Sequence, residues 1–278
     1  MPNIYHYTSL DAFVSILKNK KLWLSGSQNL NDHQEMEWGL GKIRDSLKRR
    51  RTPQNDNHVN DLWKLLEAYI PPYVCSFSMD GGDQLSQWRA YACDGTGVAI
   101  GFNLNSLPVT STLPYQSDAL EHCITTFDVI YQNNMQDERI DKAVDRLMTY
   151  VSNQNNNHDI GVIDRAASHL YGLAAVFKNP AFEEEREWRI VHTPTITSDR
   201  DTNKVNVKNG ISDMHHRVSN GRLITYFEYG LTTTTCEQPI AELVLGPKCA
   251  ISEHDLKTFL SACGYQRVSY RKSSATYR

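Results

Sequence analysis

Three short segments of this chain combine residue types that could do chemistry. The first, Phe182-Glu-Glu-Glu-Arg-Glu-Trp-Arg189, reads as an acidic loop leading into a strand at Glu183–His192. On a strand, Glu185, Glu187 and Arg189 share a face and Arg186 and Trp188 take the other. Two carboxylates so spaced raise each other's cost of ionisation, and strands rarely carry glutamate for stability. Such a pair suits binding a hydroxyl or stabilising a cation; the plainer alternative is a solvated, salt-bridged edge strand. The second segment, Tyr5-His6-Tyr7-Thr8-Ser9, puts a histidine and hydroxyls at a strand-to-helix junction, where a ribose or phosphate can be held. Its plainer reading is a helix cap beside a structural histidine. In the third, Tyr73–Ser78, Ser76 and Ser78 fall on one strand face and make a small polar platform. Trp88 follows and could stack on a flat ring, or be core; Tyr73 and Tyr91 are alternative stacking rings between which the sequence does not choose.

These segments need elements to hold them. Asn3–Tyr7 predicts a strand, Ser9 caps a helix carrying Leu10, Phe13, Ile16 and Leu17, and Lys21–Ser25 predicts a second strand. Asn31-Asp32 signals a turn before a helix over 35–50, which ends in the basic run Lys48–Arg51. A helix over 61–70 and strands at 73–78, 98–102 and 124–131 follow, then helices marked by Ile140–Val151 and Ile163–Phe177. The polar stretch Asn153–His158 separates those two helices, and Ser198–Asn220 is expected to be a long loop bordering the substrate entrance. Strands at 222–229 and 240–245, a helix capped by Ser252 and Asp255, and a strand near 267–270 complete the chain. The fold class is α+β: a mixed, mostly antiparallel β core with flanking helices. Residues 1–278 form one domain, with core segments at about 3–103 and 180–270 and a helical insertion at about 135–180.

Composition narrows the function. The 278 residues are 40% hydrophobic and 22% charged with a net charge of −3, which excludes a uniformly basic nucleic-acid coat but not a local basic groove. No stretch reaches the roughly 18 apolar residues of a membrane span. The start has neither a basic nor an apolar signal region, so a cytoplasmic location is expected, with the six scattered cysteines reduced. No metal is assigned: no Cys-x-x-Cys or His-Glu-x-x-His is present, and His215-His216 lies in a polar stretch. Nucleophile-elbow and phosphate-loop motifs are also lacking, and Gly95, Gly97 and Gly101 are misspaced for a dinucleotide fingerprint.

Taken together, Tyr5–Ser9, Asn31-Asp32 with Glu35, Cys75–Ser78 with Trp88, Glu185–Arg189, and Glu242 with Gly246-Pro247 resemble a bacterial family catalogued as domain of unknown function 2971, over about residues 4–270. The order His6, Ser76/Ser78, Glu185/Glu187 is in turn similar to that of ADP-ribosyltransferases. That resemblance implies an ADP-ribosyltransferase-like fold and NAD as co-substrate. It makes His6 and Thr8 ribose-binding, Ser76 and Ser78 braces of the nicotinamide pocket, Glu187 the catalytic carboxylate and Glu185 the group that orients the acceptor. It also implies a nucleic-acid or protein acceptor, or water in a plain NAD glycohydrolase, and a role as a toxin or antiviral defence effector. Tyr7 stands where many such enzymes have glycine. The competing reading is a non-catalytic module that binds nucleic acid or protein through the 48–51 basic run and scattered aromatics.

Overall fold

The computed structural model describes residues 3–29, 35–104, 107, 120–153, 159–199, 204–219, 221–231 and 238–276. In chain order the strands are β1 (Asn3–Thr8), β2 (Lys21–Gly26), β3 (Tyr73–Ser78), β4 (Val98–Asn103), β5 (Ile124–Asp128), β6 (Glu187–His192), β7 (Thr195–Asp199), β8 (Lys204–Lys208), β9 (His215–Ser219), β10 (Arg222–Gly230), β11 (Ile240–Leu245) and β12 (Ser269–Lys272). The helices are α1 (Leu10–Asn19), α2 (Glu35–Arg50), α3 (Asp56–Ala68), α4 (Leu85–Tyr91), α5 (Leu120–Cys123), α6 (Asn133–Asn153), α7 (Ile160–Ala174) and α8 (Glu253–Cys263). The fold is therefore α+β. Ten strands form one mixed, mostly antiparallel sheet, β7 and β8 form a separate hairpin, and β11–β12 is the parallel pair.

Local chemistry sets the helix ends. Ser9 Oγ accepts from Ala12 N–H at 3.2 Å, starting α1, and Phe13, Ile16 and Leu17 then bury one stripe. Ser252 caps α8 in the same way, and Gly264 closes it at φ +82°. Packing divides the core into three clusters. On one sheet face, Phe13 of α1 and Leu256 of α8 pack with Ile4, Phe77, Phe102 and Phe227. On the other face, α2, α3, α6 and α7 bury Ile43, Leu62, Val144 and Leu170 against Val74 and Val191. Trp88 and Ala92, from α4 and the residue after it, pack with Tyr5, Tyr7, Ala99 and Val244. Gly39 allows α2 to touch α7: a Cβ there would sit 2.6 Å from the Ala174 Cα.

The sheet forks at β3. One edge of β3 pairs with β6 along its whole length. The opposite edge pairs with β1 only at Ser78 and with β2 only at Val74 and Tyr73. From there β1 continues to β4, β11 and β12, while β2 continues to β10 and β9. Between the two branches, Cys75–Phe77 has no strand partner on that edge among the described residues.

Three expectations change at this level. The segment Ser198–Asn220 is not a plain loop: it contributes to the β7–β8 hairpin and supplies β9, whose strands are mostly exposed and so lack an apolar alternation. α4 was not foreseen, because seven residues carry too little periodicity. β6 starts only at Glu187, because Pro180–Glu185 coils as a 3-10 helix capped by Asn179 and ended by Arg186 at φ +41°. Asn31-Asp32 and residues 154–158 lie outside the described residues.

Candidate functional site

The fork opens into a cleft of about 630 Å3, within the size range of small-molecule and cofactor sites. His6, Thr8, Ser76, Ser78, Glu185 and Glu187 all line it. Sequence reasoning grouped these residues across about 180 positions, and the fold brings them to one place.

His6 sits where β1 leaves β3. Its Nδ1 lies 2.9 Å from the Ser76 carbonyl, which the fork leaves without a strand partner on that side. A carbonyl only accepts, so Nδ1 carries the hydrogen and Nε2 keeps a lone pair. Burial lowers the His6 pKa, and the bond to Ser76 offsets this only in part, so the imidazole is neutral at pH 7. Thr8 is buried at the end of β1, where Gly97 approaches its carbonyl so closely that a Cβ would lie 2.1 Å away. The Ser78 hydroxyl accepts from Asp80 N–H at 3.4 Å and so braces the turn after β3.

The β3–β6 register puts Ser78 opposite Glu187 and Ser76 opposite Arg189. Arg189 grips Glu187 with two bonds, Nε to Oε1 at 2.6 Å and an η-nitrogen to Oε2 at 2.7 Å. Lys178 Nζ lies 3.1 Å from Glu187 Oε2 and 2.6 Å from Glu185 Oε2. The site is thus a quartet of two carboxylates and two cations, of which Glu187, Lys178 and Arg189 are buried. Burial opposes ionisation of Glu187, but the charge and hydrogen bonds of Arg189, then the charge of Lys178, outweigh it and hold the carboxyl well below the usual range. This corrects the expectation that the two glutamates raise each other's cost of ionisation. They share no strand face, and they are bridged by a lysine.

Lys178 was not singled out from the sequence. It lies four residues beyond the end of α7, where its charge reads as a surface residue. Gln136 of α6, fully buried, donates to the Lys178 carbonyl at 2.8 Å, and the Lys178 N–H bonds the Ile130 carbonyl at 3.2 Å, so the backbone delivers the ammonium inward. Its Nζ also stands 5.1 Å above the Phe182 ring. Glu185, at 15% side-chain exposure, is the more open carboxylate; Glu187 keeps 7%. Tyr91 donates to Glu185 Oε1 at 3.3 Å.

Of the two readings open for Trp88, stacking ring or core, the structure has the second. It is completely buried edge-on against Tyr7, with its Nε1 donating to Asp83 at 2.9 Å, and so does not offer its face to a ring in the cleft. Tyr73 is core against Phe227, so of the aromatics considered for stacking it is Tyr91 that lines the cleft. The basic run is engaged as well. Arg49 and Arg50 pair with Asp141 at 3.1 and 3.0 Å, Arg50 also pairs with Asp145, and Arg51 pairs with Asp56. α6 and the start of α3 thus oppose those positive charges.

Residues 87–190 match the family described as "Protein of unknown function (DUF2971)", a little more than a third of the chain. The match holds Trp88, Tyr91, Lys178 and Glu185–Arg189, but not His6, Ser76 or Ser78, so it is narrower than the 4–270 taken from the motifs. No curated protein and no solved structure matches the chain. Among the described residues no group of three or more His, Cys, Asp or Glu is arranged to hold a metal, and no helix is long and apolar enough to cross a membrane.

Proposed function

We propose that the cleft binds NAD and that the protein transfers ADP-ribose from it to a nucleic-acid or protein acceptor, with water as acceptor in the hydrolytic limit. The observation that carries this reading is the meeting of His6, the β3 hydroxyls and the Glu185/Glu187 pair at the fork. The neutral His6 offers Nε2 as acceptor to a ribose hydroxyl, and Thr8 supplies a neighbouring hydroxyl. Breaking the bond between nicotinamide and ribose develops positive charge on the sugar, and a fixed carboxylate stabilises a charge that exists only in the transition state.

The ion quartet refines the roles. Glu187 has both oxygens engaged by cations, so it acts as the anchor that fixes Lys178 and Arg189. Glu185 reaches the cleft with one oxygen on Lys178 and the other on Tyr91, and it meets the developing charge or the acceptor. The alternative is a non-catalytic binding module; within its basic run, Arg49, Arg50 and Arg51 pair with carboxylates of the fold.

The test is nicotinamide release from NAD by the purified protein, read beside its melting temperature. NAD at a hundred times its Kd stabilises the folded state by about 2.7 kcal/mol. Neither release nor a thermal shift at millimolar NAD would reject the reading.

A further inference from the structure

Arg217, on the edge strand β9, lines the same cleft. Its guanidinium lies over Trp23 of β2, 5.3 Å from the ring centroid, and an η-nitrogen donates to Ser25 Oγ at 3.2 Å. Its Nε is buried and has no hydrogen-bond partner, and the side chain pairs with no carboxylate among the described residues. A guanidinium stays charged and carries five donors in a planar fork. Among the described residues Ser25 takes one of those donors, and an anion in the cleft would engage the half-exposed η-nitrogens in place of water. The contrast with Arg189, which spends its fork on Glu187, is direct.

The walls of the cleft therefore differ. The β6 side presents carboxylates bridged by a lysine, while β2 and β9 present a stacked guanidinium with the Ser25 and Ser219 hydroxyls. We infer that Arg217 binds a phosphate group, so that the cleft takes a phosphorylated nucleotide by its phosphates at β9 and by its sugar at His6. This rests on the reading of the cleft as a nucleotide site and names the part of the ligand that β9 recognises. The fork of Arg matches phosphate oxygens bidentately, which a lysine cannot copy.

ADP and adenosine are the probes, titrated against the intrinsic tryptophan fluorescence and the melting temperature of the full chain. The wild type should bind ADP, and Arg217→Gln should bind it about ten- to a hundredfold more weakly, the scale of one charge-assisted contact. Adenosine should bind both alike. Arg217→Lys, which keeps the charge but loses the fork, should fall between; it also serves if Arg217→Gln melts well below the wild type. A wild type that ignores ADP, or variants that bind it as tightly, would overturn the inference. Nicotinamide release from NAD is measured separately: if ADP binding depends on Arg217 but no nicotinamide is released, the transferase reading falls and the phosphate site stands.

Discussion

Glu187→Gln keeps the shape of the side chain and removes its charge, and from the catalytic role that the resemblance implies that change should spare binding and lower only turnover. The quartet changes the expectation. With Glu187 ionised, two cations face two carboxylates; with glutamine, Lys178 keeps Glu185 while Arg189, 2% exposed, loses the charge behind both of its bonds to residue 187. Removing one partner of a buried pair costs about 3–5 kcal/mol, against a total stability of roughly 5–15 kcal/mol. At roughly 2–3 °C per kcal/mol for a chain of this size, the melting temperature should fall by about 6–15 °C. Glu187→Gln with Arg189→Gln leaves one cation and one carboxylate and should recover part of that loss, which a double-mutant cycle reads as coupling. Glu185→Gln leaves both cations on Glu187, so it should melt near the wild type while nicotinamide release falls about a hundredfold or more, the scale of one lost electrostatic stabiliser. Thermal denaturation followed by circular dichroism, with nicotinamide release on the same samples, decides. A Glu187→Gln protein that melts within about 2 °C of the wild type would refute the anchoring role, and a fully active Glu185→Gln protein would refute the assignment of the ligand-facing carboxylate.

Acid should weaken the fold before the carboxylates titrate. Burial lowers the His192 pKa to about 4, the bond from its Nδ1 to the Cys123 carbonyl offsetting part of the shift, so the unfolded chain takes the proton first. Stability is full above about pH 6.5 and is lost as pH falls toward 4, by on the order of 3 kcal/mol. Melting temperature against pH reads this, and His192→Leu should flatten that limb. Tyr91→Phe removes the hydroxyl on Glu185 and should lower nicotinamide release roughly two- to tenfold with little change in melting temperature; equal rates would detach Tyr91 from the site. Gly39→Val forces a side chain into Ala174 and should cost about 1–3 kcal/mol in urea unfolding, whereas an unchanged midpoint would mean that α2 and α7 yield without strain.

What the sequence disclosed follows from where its signals come from. Helices α1, α6, α7 and α8 announce themselves because each buries one stripe, and β3 and β11 because apolar runs end at turns. β7, β8 and β9 carry side chains that are half or fully exposed, so no alternation marks them, and Arg217 stayed hidden in what read as a polar loop. The site was legible as residue types: His6, Ser76 and the glutamates look out of place for stability on strands. Its electrostatics were not legible, because Lys178 reaches the carboxylates through the turn after α7 and the bonds from Gln136, which no local pattern encodes.

The fork at β3 has a consequence for how such a protein can diversify. The ion quartet hangs on β6 and the α7–β6 connection, His6 on β1, and Arg217 on β9, and these branches meet at β3. Substitutions or insertions in the exposed β7–β9 region can therefore reshape the β9 wall of the cleft while the carboxylates keep their partners. The ion quartet and Arg217 stand on separate limbs of one sheet, so a change on one limb need not rebuild the other.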